Sequence, residues 1–184
     1  MAQLLSPEEM RQYDLRLSDT AQSMRHGLLG FEPSEQEYAS LFDIRQKFEA
    51  PMQDIPYDPD NEADNKKRSE IYKQQEQEIK NSMTPERYAE YKRGNDYEYR
   101  ELLNFTQGLD LPKEAADKTY DIKKTAEEAV RKVRSDKTLT SEQREETLKM
   151  LRDVTEKTLT EVMGEKGLKG YKRDRGWWIR SLGN

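Results

Sequence analysis

One stretch near the middle of the chain, residues 83–102, matches sequence on both sides of it. When it is shifted by roughly 80 positions in either direction, it falls on residues 5–24 and on residues 163–182. The matched residues are Pro85 with Pro7, Tyr91 with Tyr13 and Tyr171, Tyr97 with Trp177, and Arg100 with Arg180. Self-similarity at a fixed period indicates tandem duplication, which restricts the fold to architectures built from one repeated unit.

The duplication sets the expected domain organisation. We predict a single domain with a first repeat over about 5–82, a second over about 83–162 and a partial repeat over 163–184. Each repeat should contain a helical hairpin. The predicted fold class is all-α, with two tandem helical-hairpin repeats of about 80 residues and long antiparallel helices.

Helix start signals recur along the chain and support this fold class. Three of them are capping boxes, in which a hydroxyl residue precedes a Glu or Gln by three positions. The three pairs are Ser6 with Glu9, Ser34 with Glu37, and Thr140 with Gln143. Thr84 and Pro85 repeat the opening cap, with Arg87 at the position of the acidic partner.

The composition limits how these helices can pack. Charged residues make up 38% of the 184 residues and hydrophobic residues only 33%, so each helix should bury a narrow apolar stripe. For the long helix of the second repeat, a coiled-coil spacing predicts the stripe Ala115, Thr119, Ile122, Ala126, Ala129 and Val133. No apolar run approaches the ~20 residues that span a bilayer.

Charge and cysteine content exclude several classes of function. The net charge of −5 gives no general attraction to nucleic acid. The absence of cysteine excludes disulfides, thiolate zinc sites and cysteine nucleophiles. No G-x-S-x-G, P-loop or dinucleotide fingerprint occurs, so we predict no enzyme activity and no cofactor.

Metal binding has two candidates in the sequence, and neither is predicted to be a site. His26 is the only histidine, and we interpret it as a structural or surface residue. Residues 58–64 alternate carboxylates as a calcium loop does, but Ala63 and Ser69 stand where an EF-hand needs glycine and glutamate. We therefore interpret this segment as a solvated loop.

The C-terminal residues 166–180 combine basic and aromatic side chains. This mixture is typical of stacking on single-stranded nucleic acid or of contact with an anionic membrane surface. The duplication favours packing instead for the aromatic residues at repeated positions, and the predicted packing anchors are Tyr13, Tyr91, Tyr171 and Trp177. Trp178 aligns with Glu98, so we predict that it is an exposed partner-binding residue. The predicted basic contacts beside it are Lys172, Arg173 and Arg175.

The segment 139–143, with the sequence LTSEQ, resembles the L-T-x-x-Q motif of the Spy/CpxP-like periplasmic proteins. Degenerate versions occur at residues 5–9 and 83–87. This resemblance implies an all-helical envelope protein that binds unfolded polypeptides. The chain is also similar to helical proteins of unknown function from bacteria such as the Verrucomicrobia. That similarity lies in their L-[ST]-P-E-E, Y-x-L-R and S-x-T-A-Q patterns, here at residues 5–9, 13–16 and 18–22.

These observations favour a non-enzymatic helical binding protein that contacts polypeptide partners, with an envelope-stress or chaperone-like role implied by the resemblance. The alternative is a cytosolic regulatory module that contacts nucleic acid or an anionic surface through residues 166–180. The expected compartment is the periplasm if an upstream signal peptide has been removed, and the cytoplasm otherwise. The sequence leaves the oligomeric state open, with a homodimer among the options.

Overall fold

The computed structural model describes residues 5–183, apart from the side chain of His26, so the interpretation of His26 lies outside the described residues. Within this range the chain forms nine α-helices and no β-strand. The helices are α1 (Pro7–Leu17), α2 (Asp19–Gly27), α3 (Glu35–Gln53), α4 (Glu62–Asn81), α5 (Pro85–Asn95), α6 (Tyr97–Gln107), α7 (Lys113–Ser135), α8 (Ser141–Asp174) and α9 (Trp177–Leu182). The predicted all-α fold class is confirmed.

The chain forms two compact units, Met1–Asp96 and Tyr97–Asn184, which are described separately. We call them the first and the second unit. Their boundary lies inside the repeated stretch 83–102, between α5 and α6. Helices α1–α5 therefore belong to the first unit, and α6–α9 belong to the second.

The predicted helix starts are confirmed. Both hydrogen bonds of a capping box are present at the N-termini of α1, α3 and α8. At α5 the hydroxyl of Thr84 accepts a hydrogen bond from the backbone of Arg87 without a reciprocal bond. These signals are local in sequence, since each partner lies within one helical turn of the other.

In the first unit, α5 packs against the chain segment between α2 and α3. The rings of Phe31 and Tyr91 meet edge to face, with centroids 5.6 Å apart. The backbones of Gly30 and Gly94 also touch, because a Cβ atom on Gly94 would lie 2.7 Å from the carbonyl carbon of Gly30. Two glycines are therefore required at this crossing. The surrounding core consists of Ala21, Met24, Leu28, Leu41, Phe42 and Ile79.

Arg87 is the polar link between α5 and α3. Its guanidinium lies over the ring of Phe31, 4.3 Å from the centroid, and donates hydrogen bonds of 2.8 and 2.9 Å to the two carboxylate oxygens of Glu37. Glu37 also closes the capping box at Ser34. Chiefly because of the hydrogen bond from Arg87, the pKa of Glu37 falls to about 2.

In the second unit, α7 and the first part of α8 pack side by side and are joined by the short turn 136–140. This arrangement is the predicted antiparallel hairpin. Its core contains Leu148 and Leu159 of α8, with Leu102 and Leu103 of α6 against them. Gly164 then interrupts α8 with φ 71° and ψ 165°, a conformation that is essentially restricted to glycine.

The buried stripe of α7 differs from the predicted coiled-coil stripe. The buried residues are Ala115, Ala116, Thr119, Lys123, Ala126 and Val130. Ala115, Thr119 and Ala126 are predicted correctly, whereas Ile122, Ala129 and Val133 are only half-buried. From Ala116 onward the buried positions are spaced by three, four, three and four residues, so the heptad-like alternation is present in a different register from the predicted one. As a result, Lys123 rather than Ile122 points inward.

Three matched positions of α6 and α9 are alike in burial, whereas the second position differs, because Glu98 is exposed and Trp178 is buried. Tyr97 and Trp177 are 67% and 65% exposed, whereas Tyr99 and Ile179 are buried, as are Leu102 and Leu182. These pairs match in the alignment that indicates the duplication. The agreement at these three positions is consistent with the duplication. The duplication and the predicted repeat boundaries remain interpretations.

The predicted packing anchors divide into two groups. Tyr91 and Tyr171 are buried, as predicted. The prediction for Tyr13 is wrong, because this side chain is 44% exposed. The rotation of α1 directs Leu15 toward the core instead, and the Leu15 carbonyl accepts a hydrogen bond of 3.1 Å from the hydroxyl of Tyr38.

Candidate functional site: an aromatic cleft in the second unit

The second unit contains a cleft of about 260 Å³ between α6, α7, the C-terminal end of α8 and α9. We call it the aromatic cleft. Five of its lining residues carry aromatic rings and five are charged. The full lining is Tyr97, Glu98, Glu101, Leu102, Tyr120, Lys123, Tyr171, Asp174, Arg175, Trp177 and Trp178.

Two exposed rings belong to the lining of the aromatic cleft. Tyr97 is the first residue of α6 and Trp177 is the first residue of α9. Trp177 is placed by the tight turn at Gly176, where an added Cβ would lie 2.7 Å from the Cα of Lys172. Both rings remain about two-thirds exposed, so each offers a large apolar surface to a ligand.

The rings of Tyr171 and Trp178 form the buried part of the lining. The indole Nε1 of Trp178 donates a hydrogen bond of 2.9 Å to the hydroxyl of Tyr171. Phe105 packs against the ring of Tyr171, and the two ring centroids lie 5.5 Å apart. Burial raises the pKa of Tyr171 above its ordinary value, so the phenol is neutral at physiological pH.

Lys123 is a buried cation in the lining. Only 8% of its side chain is exposed, and its Nζ lies 2.7 Å from a carboxylate oxygen of Glu98 and 3.6 Å from one of Glu127. The same Nζ lies 5.9 Å from the ring centroid of Trp178. A buried ammonium group requires such partners, because desolvation without them is strongly unfavourable.

Carboxylates outnumber cations in the lining, three to two. Glu98 and Asp174 each keep nearly half of their side chain exposed. Arg175 donates a hydrogen bond to Glu101. The hydrogen bonds from Arg173 hold the pKa of Asp174 below its ordinary value, so this carboxylate is ionised at neutral pH. Each of the three carboxylates is therefore paired with a cation of the same unit.

The predicted roles of the two tryptophans are reversed in the structure. Trp177, predicted to be a packing anchor, is exposed, and Trp178, predicted to be an exposed contact residue, is only 2% exposed. The reason is the helical period of α9, which brings Trp178, Ile179 and Leu182 to one inward face. The match of Trp177 with Tyr97 in the repeat does not indicate packing, because Tyr97 is exposed as well.

The predicted basic contacts are each engaged in an ion pair. Lys172 lies 2.8 Å from a carboxylate oxygen of Glu156. Arg173 forms two hydrogen bonds to its sequence neighbour Asp174, and Arg175 pairs with Glu101 as described above. The structure thus places these three cations beside carboxylates. Only Arg175 lies in the cleft lining with Trp178.

Sequence reasoning did not select seven residues of this site as candidates. They are Tyr97, Glu98, Glu101, Leu102, Tyr120, Lys123 and Asp174. The chain has 37 acidic residues, and nothing in the sequence distinguishes Glu98 and Glu101 from the others. Lys123 was missed because the predicted buried stripe of α7 contained Ile122 instead. Tyr97 was named only as a partner in the repeat, and its exposure follows from its place at the start of α6.

The acidic segment 58–64 uses its polar groups for local structure. Asp58 accepts a hydrogen bond from the backbone of Asp60, and Asn61 caps α4. Asp64 forms an ion pair of 3.1 Å with Lys67. Among the side chains that the structure describes, which are those of residues 5–183 without His26, no group of three or more His, Cys, Asp or Glu residues is arranged to hold a metal ion.

Comparisons with protein-family models, curated proteins and solved structures give no match. Among the helices that the structure describes, none is long and apolar enough to cross a membrane.

Proposed function

We propose that the protein is a non-enzymatic helical binding protein that captures polypeptide segments at the aromatic cleft. The observation that carries this proposal is the pair of exposed rings, Tyr97 and Trp177, in the lining of the cleft. The buried rings of Tyr171 and Trp178 form the floor of the same cleft. Tyrosine and tryptophan are enriched among the residues that dominate binding energy at protein interfaces. They offer large contact areas at a low cost in conformational entropy.

The packing beneath the rings supports a binding role. Trp178, Ile179 and Leu182 are buried on the inner face of α9, so this helix is fixed to the second unit. Trp177 therefore projects from a well-packed element, and its ring is held ready for contact. Preorganisation of this kind lowers the entropy lost on binding.

The chaperone-like form of the proposal derives from the L-T-x-x-Q resemblance. In this chain Thr140 and Gln143 form the capping box of α8, so the motif has a structural role. We propose that the binding surface is the aromatic cleft and that the motif stabilises the helix hairpin behind it. A periplasmic location is part of this form of the proposal.

The alternative contact with nucleic acid or an anionic surface is not proposed. Its basic residues Lys172, Arg173 and Arg175 each form an ion pair with a carboxylate. Binding of a phosphate group there would require those pairs to break. No observation in the described structure favours that exchange over contact with polypeptides.

The proposal is tested by aggregation of a reduced or heat-denatured model client, followed by light scattering. We expect the wild-type chain to suppress scattering at an equimolar ratio, and Trp177→Ala to lose most of this effect. The matched control is Tyr57→Ala, which removes an exposed ring in the first unit. Absence of suppression by the wild type, or equal suppression by the two variants, contradicts the proposal.

A further inference from the structure

We propose that α1 is a self-association surface, through which two copies of the chain pair in opposite directions with their Tyr13 rings in contact. The surface belongs to the first unit, and its role does not depend on the proposed function. Three observations support it: an exposed apolar stripe on α1, the burial of the matching tyrosine in two other helices, and the charges beside the stripe.

The apolar stripe of α1 points away from the core of the first unit. No residue of α1 is buried. Tyr13 and Leu17 are 44% and 55% exposed, and Met10, one turn before Tyr13 on the same side of the helix, lies outside the core cluster. Leu15, on the opposite side of α1, makes the core contact instead. The three side chains therefore form a contiguous apolar surface that a partner can cover.

Two helices that match α1 in the repeat bury the corresponding tyrosine. Helix α5 has eleven residues, as α1 does, and its Tyr91 is covered by the ring of Phe31, with centroids 5.6 Å apart. In α8, Tyr171 packs against the ring of Phe105 with centroids 5.5 Å apart. An aromatic ring from another part of the chain thus covers the tyrosine in both cases. Within the described structure Tyr13 makes no ring contact, so we expect a second molecule to supply the ring.

The charges beside the stripe fit a second copy of α1 that runs in the opposite direction. Glu9 precedes Tyr13 by four residues and Arg16 follows it by three, so both flank Tyr13 on one side of the helix. The side chain of Arg16 forms no ion pair with the described residues, and the carboxylate of Glu9 bonds to Ser6 and to no cation of the chain. In an antiparallel pair centred on Tyr13, Glu9 of each copy lies opposite Arg16 of the other. A parallel pair would place like charges together.

The antiparallel pair is also complementary in its apolar contacts. Met10 and Leu17 lie three residues before and four residues after Tyr13, so Met10 of each copy meets Leu17 of the other. Both copies use the same patch, and such an interface closes at a dimer. The contact is one face of an eleven-residue helix, about 16 Å long. Because this interface is small, the dimer should be weak.

Sedimentation equilibrium of the full chain over a range of concentrations tests the dimer. We expect the average mass to rise from 21.7 kDa toward twice that value as the concentration is raised. Tyr13→Ala should abolish the rise. Arg16→Glu should weaken the dimer by about tenfold, since each dimer contains two pairs of Glu9 with Arg16. The matched control is Tyr72→Ala, which removes an exposed ring of α4 and should leave the dimer unchanged.

Glu9→Gln, added to Arg16→Glu, separates the effect of charge from an effect on folding. Glutamine at this position still completes a capping box with Ser6. It also removes the repulsion that the new acidic side chain meets in the partner. We therefore expect the double variant to dimerise about threefold more tightly than Arg16→Glu alone. Helix content by circular dichroism should be the same in both.

Disulfide cross-linking tests the direction of the pair. The chain contains no cysteine, so introduced thiols have no competitor. We expect Met10→Cys and Leu17→Cys in one chain to give a disulfide-linked dimer under mild oxidation. Either substitution alone should give none, because the two equivalent positions lie about 10 Å apart along the antiparallel helices, beyond the reach of a disulfide.

Three results would overturn the inference: a monomer at every concentration, a dimer that Tyr13→Ala leaves intact, or cross-linking by either single cysteine. An Arg16→Glu dimer as tight as the wild type would also contradict the antiparallel pair. None of these results coincides with failure of the proposed function, which is tested by Trp177→Ala in the second unit.

Discussion

The indole Nε1 of Trp178 and the hydroxyl of Tyr171 form a hydrogen bond of 2.9 Å inside the second unit. Both side chains are buried, and the bond connects α9 to the C-terminal turns of α8. It fixes the helix whose first residue is the exposed Trp177. The stability of this contact therefore bears directly on the shape of the aromatic cleft.

Tyr171→Phe should destabilise the protein by about 1–3 kcal/mol, because it leaves a buried indole N–H without an acceptor. The measurement is the free energy of unfolding in urea. Tyr97→Phe is the matched control, since it removes the hydroxyl of an exposed tyrosine and should change stability by less than about 0.5 kcal/mol. Equal effects of the two substitutions would show that the hydrogen bond does not stabilise the fold.

Gly94→Ala should destabilise the first unit by more than about 2 kcal/mol, although alanine is the better helix former. The added Cβ would meet the backbone at Gly30 and Phe31 at 2.7 Å, and a backbone cannot move aside as a flexible side chain does. Urea unfolding measures the change. Gly170→Ala is the control, because its Cβ would meet only the ring of Phe105 at 3.7 Å.

For that control we expect unchanged or increased stability, by up to about 1 kcal/mol, from helix propensity. The two substitutions are chemically identical and both lie within helices. Opposite signs would therefore isolate the close approach of Gly30 and Gly94. If Gly94→Ala were as stable as the wild type, the tight crossing of α5 would be wrong.

Gly164→Ala should cost about 1–3 kcal/mol for a different reason. A Cβ at this position would meet no atom within 4 Å, so space is not limiting. The cost arises from the backbone, because alanine rarely adopts φ 71°. We expect lower stability by urea unfolding together with retained helix content by circular dichroism. A variant as stable as Gly170→Ala would contradict the break in α8.

The sequence predicts those features of this fold that depend on neighbours within one helical turn. The capping boxes at Ser6, Ser34 and Thr140 are examples, since their partners lie three residues away. The inward face of α9 is not local, because it depends on which side meets α7 and α8. Adjacent tryptophans at 177 and 178 give no periodic signal to decide between them, and their roles were therefore predicted in the wrong order.

The aromatic cleft was beyond sequence reasoning for the same reason. Its lining comes from three segments, 97–102, 120–123 and 171–178, that approach one another only after α7 and α8 pair. Lys123 shows the limit clearly. A charged residue is normally assigned to a solvated face, and only the positions of Glu98, Glu127 and Trp178 explain its burial.

The pair formed by Glu37 and Arg87 predicts a pH-dependent stability in the acid range. The pKa of Glu37 is about 2 in the folded chain against an ordinary value of 4.5. A lowered pKa stabilises the fold at every pH above 4.5, where the carboxylate is ionised in both states. As the pH falls from 4.5 to about 2, the unfolded chain takes up the proton first, and this stabilisation is lost.

Glu37→Gln isolates the charge, because glutamine at this position can still complete a capping box with Ser34. We expect the variant to be less stable than the wild type by about 1–2 kcal/mol at pH 6, after allowance for partial solvent screening of the pair. The difference should shrink as the pH falls toward 2, where about half of the wild-type Glu37 side chains are protonated in the folded chain. Urea unfolding at pH 6, 4 and 2.5 measures this difference in stability.

Asp43→Asn is the control, since its partner Arg11 lies 3.0 Å away on an exposed surface and the pair should contribute less than about 1 kcal/mol. A Glu37→Gln effect that is the same at all three pH values would mean that the amide disturbs packing around Arg87 and Phe31, and that the ion pair is not the source of the stability.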